Sequence, residues 1–100
     1  MKLTNEEEIS EWAFYECYNG NNTPEMRKLI TDSCWAYVYC INVKDRKEIR
    51  KLIIRDIFRY AYCKEIKDIK DMWSKIKDPD WGSWYCKFIK DRQEIRKNIE

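Results

Sequence analysis

Histidine is absent from the sequence, and glycine and proline occur only twice each. Without histidine, the chain lacks the side chain that most often acts as a general base near neutral pH. Neither a phosphate-binding glycine loop nor a Gly-x-Ser-x-Gly nucleophile motif is present, so we expect a protein without catalytic activity. No apolar run is long enough to span a bilayer, and the start lacks the pattern of a signal peptide. We therefore expect a cytoplasmic protein that uses no cofactor and has no membrane contact.

Charged side chains make up 38% of the chain, yet they nearly cancel to a formal net charge of +2. Their distribution is uneven. Residues 1–40 contain three basic and seven acidic side chains, whereas residues 41–100 contain seventeen and eleven. The net charge is too small to indicate a nucleic-acid partner by itself. Either the acidic first part or the basic second part could contact a partner.

A pattern of 23 residues occurs four times in register. The predicted copies comprise residues 9–31, 32–54, 55–77 and 78–100, after a lead-in of residues 1–8. We expect them to form a single domain, because units this short bury a core only by stacking on their neighbours. Four columns of the repeat carry an aromatic residue, a cysteine, an isoleucine and an acid. They are Trp12, Trp35, Phe58 and Trp81; Cys17, Cys40, Cys63 and Cys86; Ile30, Ile53, Ile76 and Ile99; and Glu25, Glu48, Asp71 and Glu94.

Each copy is predicted to contain two short helices. In the second copy, apolar residues at i, i+1, i+4, i+5 and i+8 from Trp35 form one inward stripe of a first helix. The second helix shows apolar residues at i, i+3 and i+4, as at Met26, Leu29 and Ile30. No segment alternates with period two for long enough to form a strand. We predict an all-α fold, a compact solenoid-like helical repeat of about eight short helices whose aromatic and cysteine columns face the core.

Capping side chains mark the predicted helix starts. Thr4 and Glu7 have the form of a capping box that lengthens the first helix. In the later copies, the first helix is predicted to start at Ser33, Asp56 or Asp78, as it does at Ser10 in the first copy. The second helix is predicted to start at an Asx residue with an acid three positions later. These Asx residues are Asn22, Asp45, Asp68 and Asp91.

Four of the five cysteines share one column of the repeat. A small apolar side chain one turn after an aromatic residue indicates core packing. A disulfide framework and a metal site are the alternatives. However, the chain has no Cys-x-x-Cys motif, and cysteines in successive layers would need unusually close backbones to bridge. We therefore expect no metal site, and we expect Cys34, outside the column, to be the most exposed thiol.

The repeat unit resembles a known class of sequence. Residues 35–50 read Trp-Ala-Tyr-x-Tyr-Cys, followed by Val-Lys-Asp-Arg-x-Glu-Ile-Arg, and residues 12–27, 58–73 and 81–96 repeat this more loosely. The unit is similar to short tandem repeats in uncharacterised proteins of tailed bacteriophages. The resemblance implies a phage or mobile-element origin, and hence the cytoplasm of a bacterial host. It implies no particular activity.

The second helix of the third copy departs from its neighbours. Ile69 and Trp73 replace a pair of arginines found in the second and fourth copies. One interpretation is an exposed anchor, since a tryptophan near arginines is typical of binding hot spots. The other is a rotated helix with Trp73 in the core, which is favoured because Lys75 replaces the leucine of the earlier copies. The arginines of the candidate partner-binding set are Arg46, Arg50, Arg92 and Arg96.

The fourth copy carries an unusual aromatic pair. Phe88 replaces polar residues of the earlier copies, and Trp84 lies one turn before it. A terminal repeat is expected to present a polar outer face, so something should cover this pair. Either the last helix folds over it, or it belongs to a contact with a partner or with a second copy in a homodimer.

A row of lysines follows the first helices of the later copies, at Lys44, Lys67 and Lys90. Together with Arg46 and Arg92, these residues could meet an anionic partner, either an acidic protein surface or phosphates. Each lysine also lies beside an aspartate, so a merely solvated edge is the alternative.

Protein binding is the leading hypothesis for function. The chain is small, lacks catalytic groups and carries arginine, tryptophan and acidic residues suited to protein recognition. We predict a phage product that binds a host protein and inhibits a defence factor, as anti-CRISPR and other anti-defence proteins do. The alternatives are a nucleic-acid or nucleotide binder that uses the lysine and arginine edge, and a self-assembling component of the virion.

Overall fold

The structure, a computed structural model, describes residues 5–99. These residues form eight α-helices and contain no strand. The predicted all-α class with about eight short helices is therefore confirmed. Within this part of the chain, no helix has the length and apolar character that a membrane crossing requires. The helices are α1 (Glu6–Tyr18), α2 (Pro24–Arg27), α3 (Ser33–Asn42), α4 (Lys47–Arg50), α5 (Asp56–Glu65), α6 (Lys70–Trp73), α7 (Pro79–Phe88) and α8 (Gln93–Arg96).

Long and short helices alternate along the chain. The helix α1 has 13 residues, α3, α5 and α7 have 10 each, and the other helices have four each. The later long helices start at positions 33, 56 and 79, and the short ones at 24, 47, 70 and 93. A helix of four residues is not stable in isolation, so each short helix depends on the long helix against which it packs.

The lead-in extends α1, as expected. Glu6, Glu7 and Glu8 place negative charge at the positive end of the helix dipole. The N-cap is Asn5, whose side chain accepts a hydrogen bond from the backbone N–H of Glu8 at 2.8 Å. The capping box predicted at Thr4 falls outside the described residues.

The chain divides into two compact units, Met1–Ile53 and Ile54–Glu100. In the first unit, α1 packs against α2 and α3, and α3 packs against α4. In the second unit, α5 packs against α6 and α7, and α7 packs against α8. Each unit therefore contains two long helices, each joined to a short one.

A buried tyrosine lies in each of the three later long helices, at Tyr39, Tyr62 and Tyr85, and each is 0% exposed. The short helices contribute Ile49, Met72 and Ile95, which are also buried. Ala36 and Gly82 lie three residues before Tyr39 and Tyr85, and both are buried. In α7 the space is tight, because a methyl group on Gly82 would already lie 3.1 Å from Cγ2 of Ile95. The core thus forms where each long helix meets its short helix.

The aromatic column does not face the core as predicted. Trp12 is 43% exposed, and Trp35, Phe58 and Trp81 are only half-buried. The reason is that the small residue one position later, Ala13 in α1, is fully buried, which leaves the tryptophan at the edge of the buried stripe.

The cysteine and isoleucine columns follow the prediction more closely. Cys17, Cys40 and Cys63 are buried, whereas Cys86 is half-buried. In the isoleucine column, Ile30, Ile53 and Ile76 are buried, and Ile99 is 38% exposed.

The capping residues predicted for the first helices are partly wrong. The observed N-cap of α3 is Asp32, so Ser33 lies inside the helix, as do Ser10 in α1 and Asp56 in α5. Only Asp78 was predicted correctly, since its side chain accepts from the N–H groups of Asp80 and Trp81.

Ser10 and Asp56 instead hold the backbone that leads into the next long helix of their own unit. The Ser10 hydroxyl accepts from the N–H groups of Thr31 and Asp32, both at 3.0 Å. The Asp56 carboxylate accepts from Lys77 at 3.0 Å and Asp78 at 2.8 Å. Side chains of a type that usually caps its own helix thus bind the backbone in front of the next long helix. Sequence spacing alone does not reveal these contacts.

The Asx caps predicted for the short helices are also wrong. The N-caps are the following residues, Thr23, Arg46, Ile69 and Arg92, and of these only Thr23 accepts a capping hydrogen bond. Asn22, Asp45, Asp68 and Asp91 lie one position too early, and their side chains bind tyrosine or arginine instead.

Candidate functional site

A buried tyrosine hydroxyl organises a polar cluster in each unit. In the first unit, the Tyr39 hydroxyl donates to Oδ1 of Asn22 and accepts from Nε of Arg46, both at 2.9 Å. In the second unit, the Tyr85 hydroxyl donates to Oδ1 of Asp68 at 2.6 Å and accepts from Nε of Arg92. Each cluster fixes the start of a short helix to the neighbouring long helix.

The Tyr85 cluster also contains a direct ion pair. The Arg92 guanidinium lies 3.0 Å from Oδ2 of Asp68. Burial and the hydrogen bond to the Asp68 carboxylate raise the pKa of Tyr85. The hydrogen bond that Arg92 donates to the Tyr85 hydroxyl oxygen raises the pKa of Arg92. Tyr85 is therefore held in its neutral form and Arg92 in its charged form, which suits a structural link.

The arginines of the predicted binding set all have partners within their own unit. Arg46 and Arg92 bind the two tyrosine hydroxyls. The Arg50 guanidinium lies 3.2 Å from Oδ2 of Asp45, and Arg96 binds both carboxylate oxygens of Asp91. Only Arg96 is half-exposed among them. These contacts link chain segments within each unit.

Trp73 is buried, with 7% of its surface exposed. The Arg92 guanidinium carbon lies 4.3 Å from the centre of its ring, which is a close cation–π contact. Of the two interpretations of Trp73, the structure supports the core position. Ile69 is half-buried at the N-cap of α6. Trp73 is therefore not an exposed anchor.

Trp84 and Phe88 form an exposed aromatic pair on α7. They are 50% and 48% exposed, and their rings stack with centroids 4.9 Å apart. The ammonium groups of Lys87 and Lys64 lie 5.2 Å and 6.0 Å from the centre of the Phe88 ring. We call Lys64, Trp84, Lys87 and Phe88 the cationic aromatic patch. The alternative that the last helix covers this pair is wrong, since α8 leaves both rings half-exposed.

A shallow groove lies next to the patch on the same unit. It has a volume of about 210 Å³ and is lined by Ser83, Cys86, Arg96 and Ile99. Ser83 also contributes to a second depression, together with Trp84 and Lys87 of the patch. Ser83 therefore lines both the groove and the depression at the patch.

A second aromatic surface lies on α1, in the other unit. Trp12, Tyr15 and Tyr18 are 43%, 49% and 60% exposed. Glu8 and Glu11 are exposed on the same helix face, because they precede Trp12 and Tyr15 by four residues. We call these five residues the acidic aromatic stripe.

The buried ring of Phe14 supports the acidic aromatic stripe from below. Its centroid lies 5.1 Å from that of Tyr15 and 5.8 Å from that of Tyr18. The stripe was not predicted from the sequence, because the repeat pattern places Trp12 in the core. Aromatic residues at i, i+3 and i+6 with acids one turn earlier were the signal that could have revealed it.

The predicted anionic-partner edge is exposed. Lys44, Lys67 and Lys90 are all exposed and each follows the end of a long helix. Their backbone N–H groups donate to the carbonyl groups of Tyr39, Tyr62 and Tyr85 at 3.3, 3.1 and 3.2 Å. These bonds fix the backbone while the ammonium groups remain in solvent.

Three of the five cysteine side chains, those of Cys17, Cys40 and Cys63, are buried. Burial raises the pKa of Cys40 and of Cys63 to about 12, and it also raises that of Cys17. A thiol with a raised pKa is a poor nucleophile at neutral pH. Cys34 and Cys86 are half-buried, so Cys86 shares the greater exposure predicted for Cys34 alone. Among residues 5–99, no cluster of three or more acidic, cysteine or histidine side chains is placed to hold a metal ion.

Comparison of the chain with models of protein families, with curated proteins and with solved structures finds no match. The function is therefore inferred from the chemistry of the two exposed aromatic surfaces.

Proposed function

We propose that this chain is a non-catalytic protein-binding module that contacts its partner through the cationic aromatic patch. The observation that carries the proposal is the stacked, half-exposed pair of Trp84 and Phe88 with two lysines beside it. Exposed aromatic pairs of this kind are unfavourable in water and typical of binding surfaces. In a complex, the rings would supply apolar contact area near the centre of the interface.

The lysines indicate the character of the partner. Lys64 and Lys87 place two positive charges at the edge of the aromatic pair. A partner with acidic side chains around an apolar recess would match both features, and the charges would increase the rate of association. We therefore propose an acidic surface on the partner protein.

We further propose that the partner is a bacterial defence factor and that the chain is a phage or mobile-element protein that inhibits it. The resemblance of residues 35–50 to phage tandem repeats supports this origin. A small binding protein without catalytic groups could act by covering the working surface of a CRISPR effector or of another defence protein.

The repeat architecture belongs to the same proposal. We propose that the four 23-residue copies form a solenoid-like array of paired helices. The regular helix starts support this. So does the recurrence, 46 positions apart, of the Tyr39–Asn22 hydrogen bond as the Tyr85–Asp68 hydrogen bond. Such an array would present its irregular residues, including Trp84 and Phe88, on an otherwise regular scaffold.

Phage plating tests the proposed function. The chain is expressed in bacterial strains that each carry one defined defence system, and plaques of a phage sensitive to that system are counted. We expect the chain to restore plating on one of these strains and to co-purify with a component of its defence system. Plating that stays blocked on every strain would contradict the proposed inhibition.

The repeat itself supplies substitutions that should preserve the fold. Trp84→Ala introduces the residue of the third copy, Ala61, and Phe88→Asn introduces that of the first two copies, Asn19 and Asn42. The double variant should lose both the restored plating and the co-purified component, because each large interface aromatic typically contributes roughly 2 kcal/mol or more. Ile41→Ala removes an exposed apolar side chain from the other unit and should retain both. If the double variant restores plating and co-purifies the component as well as the wild type does, the patch is not the binding surface.

Nucleic-acid binding is the second candidate, and the exposure of Lys44, Lys67 and Lys90 favours it. Binding to labelled single-stranded and duplex oligonucleotides is measured by fluorescence anisotropy over a range of salt concentrations. A phosphate-binding edge of three lysines should give a slope of log K against log salt of roughly −2 to −3, which replacement of the lysines by alanine should abolish. No binding at the lowest salt concentration would eliminate this candidate.

A further inference from the structure

The chain carries two exposed aromatic surfaces of opposite charge. We infer that copies of this chain associate with one another through the acidic aromatic stripe of one copy and the cationic aromatic patch of a second copy. This inference goes beyond the proposed function, because it assigns a role to the stripe and gives the patch an occupant when no other partner is present.

Neither surface is covered within its own chain. In the stripe, the three aromatic side chains Trp12, Tyr15 and Tyr18 are between 43% and 60% exposed, and in the patch Trp84 and Phe88 are 50% and 48% exposed. Contact between the surfaces would remove five large rings from water. Because apolar burial is the main favourable term in protein association, this burial would provide most of the affinity.

The charges determine which surfaces pair. The stripe has two exposed carboxylates, Glu8 and Glu11, with the aromatic residues one turn away. The patch has two ammonium groups, those of Lys64 and Lys87, next to Phe88, and its charge stays positive when the exposed Asp80, four residues before Trp84, is counted. Contact of stripe with patch brings opposite charges together. Contact of stripe with stripe, or of patch with patch, brings like charges together and is disfavoured.

A second copy of the chain satisfies these requirements because both surfaces are present on every molecule at equal concentration. Two copies could exchange both contacts and form a closed dimer, or each could use one contact with a different neighbour and form an open chain. In either case, the same side chains meet. A partner that binds the patch would displace the stripe, so self-association and the proposed function would compete for Trp84 and Phe88.

Analytical ultracentrifugation of the full chain tests the inference. We expect the mass of the wild type to rise with protein concentration at low ionic strength and to rise less when salt screens the charges. The stripe variant Glu8→Lys/Glu11→Lys and the patch variant Lys64→Glu/Lys87→Glu should each associate at least about ten-fold more weakly. The control Lys70→Glu/Lys97→Glu changes two exposed lysines outside the patch, and its association should match that of the wild type.

Mixing the two charge-reversed variants gives the decisive result. In the mixture, the positive stripe of one variant meets the negative patch of the other, so association should return. A variant that had merely lost its fold could not be rescued in this way. A wild-type mass that stays at that of the monomer at every concentration, or a mixture that remains monomeric, would overturn the inference.

The two proposals can fail separately. The stripe variant changes no residue of the patch, so it should still restore phage plating if the proposed function is correct. A monomeric wild type would therefore overturn self-association and leave the plating experiment unaffected. Loss of plating activity in the patch variant alone would support the proposed function without bearing on self-association.

Discussion

The hydroxyl group of one buried tyrosine in each unit connects chain segments that are far apart in sequence. Tyr39 joins Asn22 to Arg46, and the equivalent Tyr85 joins Asp68 to Arg92. A buried polar group that loses its partner is costly, because water cannot easily replace the lost hydrogen bond. This contact, rather than helix capping, explains why an Asx side chain precedes α2 and α6.

Tyr85→Phe tests this role at the level of a single hydroxyl. The substitution removes two hydrogen bonds but leaves the ion pair between Asp68 and Arg92 intact. We expect the free energy of unfolding to fall by about 1–3 kcal/mol, measured by urea denaturation. Tyr18→Phe, at a 60% exposed position, should change it by less than about 0.5 kcal/mol. Equal stability of both variants would show that the buried hydroxyl contributes nothing.

At the scale of helices, α3 and α7 each carry a buried small side chain three residues before their buried tyrosine, whereas α5 has Arg59 at that position. In α7 this residue is Gly82, where a methyl group would lie 3.1 Å from Cγ2 of Ile95 and 3.5 Å from Cγ1 of Ile99. In α3 the equivalent residue is Ala36, which is fully buried, and α3 packs against α4. The same pairing of helices therefore accommodates a methyl group after a small adjustment of an isoleucine.

Gly82→Ala should consequently stabilise the chain. Alanine is favoured over glycine in a helix by about 1 kcal/mol, and the tight contact with Ile95 offsets part of that gain. We expect the free energy of unfolding to rise by roughly 0.5 kcal/mol, measured by urea denaturation. Gly82→Val adds two more carbon atoms at the same contact and should lower it by about 1–3 kcal/mol. Destabilisation by alanine as large as that by valine would mean that Ile95 cannot move.

The helical pattern could be predicted from the sequence because it depends on local signals. Apolar spacing and turn residues predicted the all-α class and about eight helices, as observed in residues 5–99. The capping residues could not be predicted reliably, because the partners of these side chains lie far away in the sequence. The Ser10 hydroxyl binds the N–H groups of Thr31 and Asp32, and Asn22 binds the Tyr39 hydroxyl. Spacing within one helix contains no information about these partners.

The candidate surfaces were predicted only in part. The aromatic pair Trp84 and Phe88 was identified because it breaks the repeat, and both rings are exposed. The stripe on α1 was missed because Trp12 occupies a column that was assigned to the core. The direction of a tryptophan at the edge of a buried stripe depends on its neighbour, here Ala13, which packs inward with no exposed surface. Apolar periodicity cannot determine whether a side chain lies in the middle of a buried stripe or at its edge.

Across the whole molecule, the buried groups that titrate at high pH make folding sensitive to alkali. Burial raises the pKa of Cys40, in the first unit, and of Cys63, in the second, from 9.0 to about 12. Below pH 9, these thiols are protonated in both the folded and the unfolded chain, so they do not make stability depend on pH. Above it, the unfolded chain loses protons that the folded chain retains, and unfolding becomes more favourable.

We therefore expect the free energy of unfolding to decrease between pH 9 and pH 12, with each of the two thiols contributing a slope of at most about 1.4 kcal/mol per pH unit. Cys63→Ala should make this decrease less steep, although the cavity that it leaves lowers stability at every pH. The double variant Cys40→Ala/Cys63→Ala should flatten the curve further. Urea denaturation at a series of pH values measures the slopes. Because the cavity changes only the height of the curve, an unchanged slope in the double variant would show that these thiols ionise as readily in the folded chain as in the unfolded one.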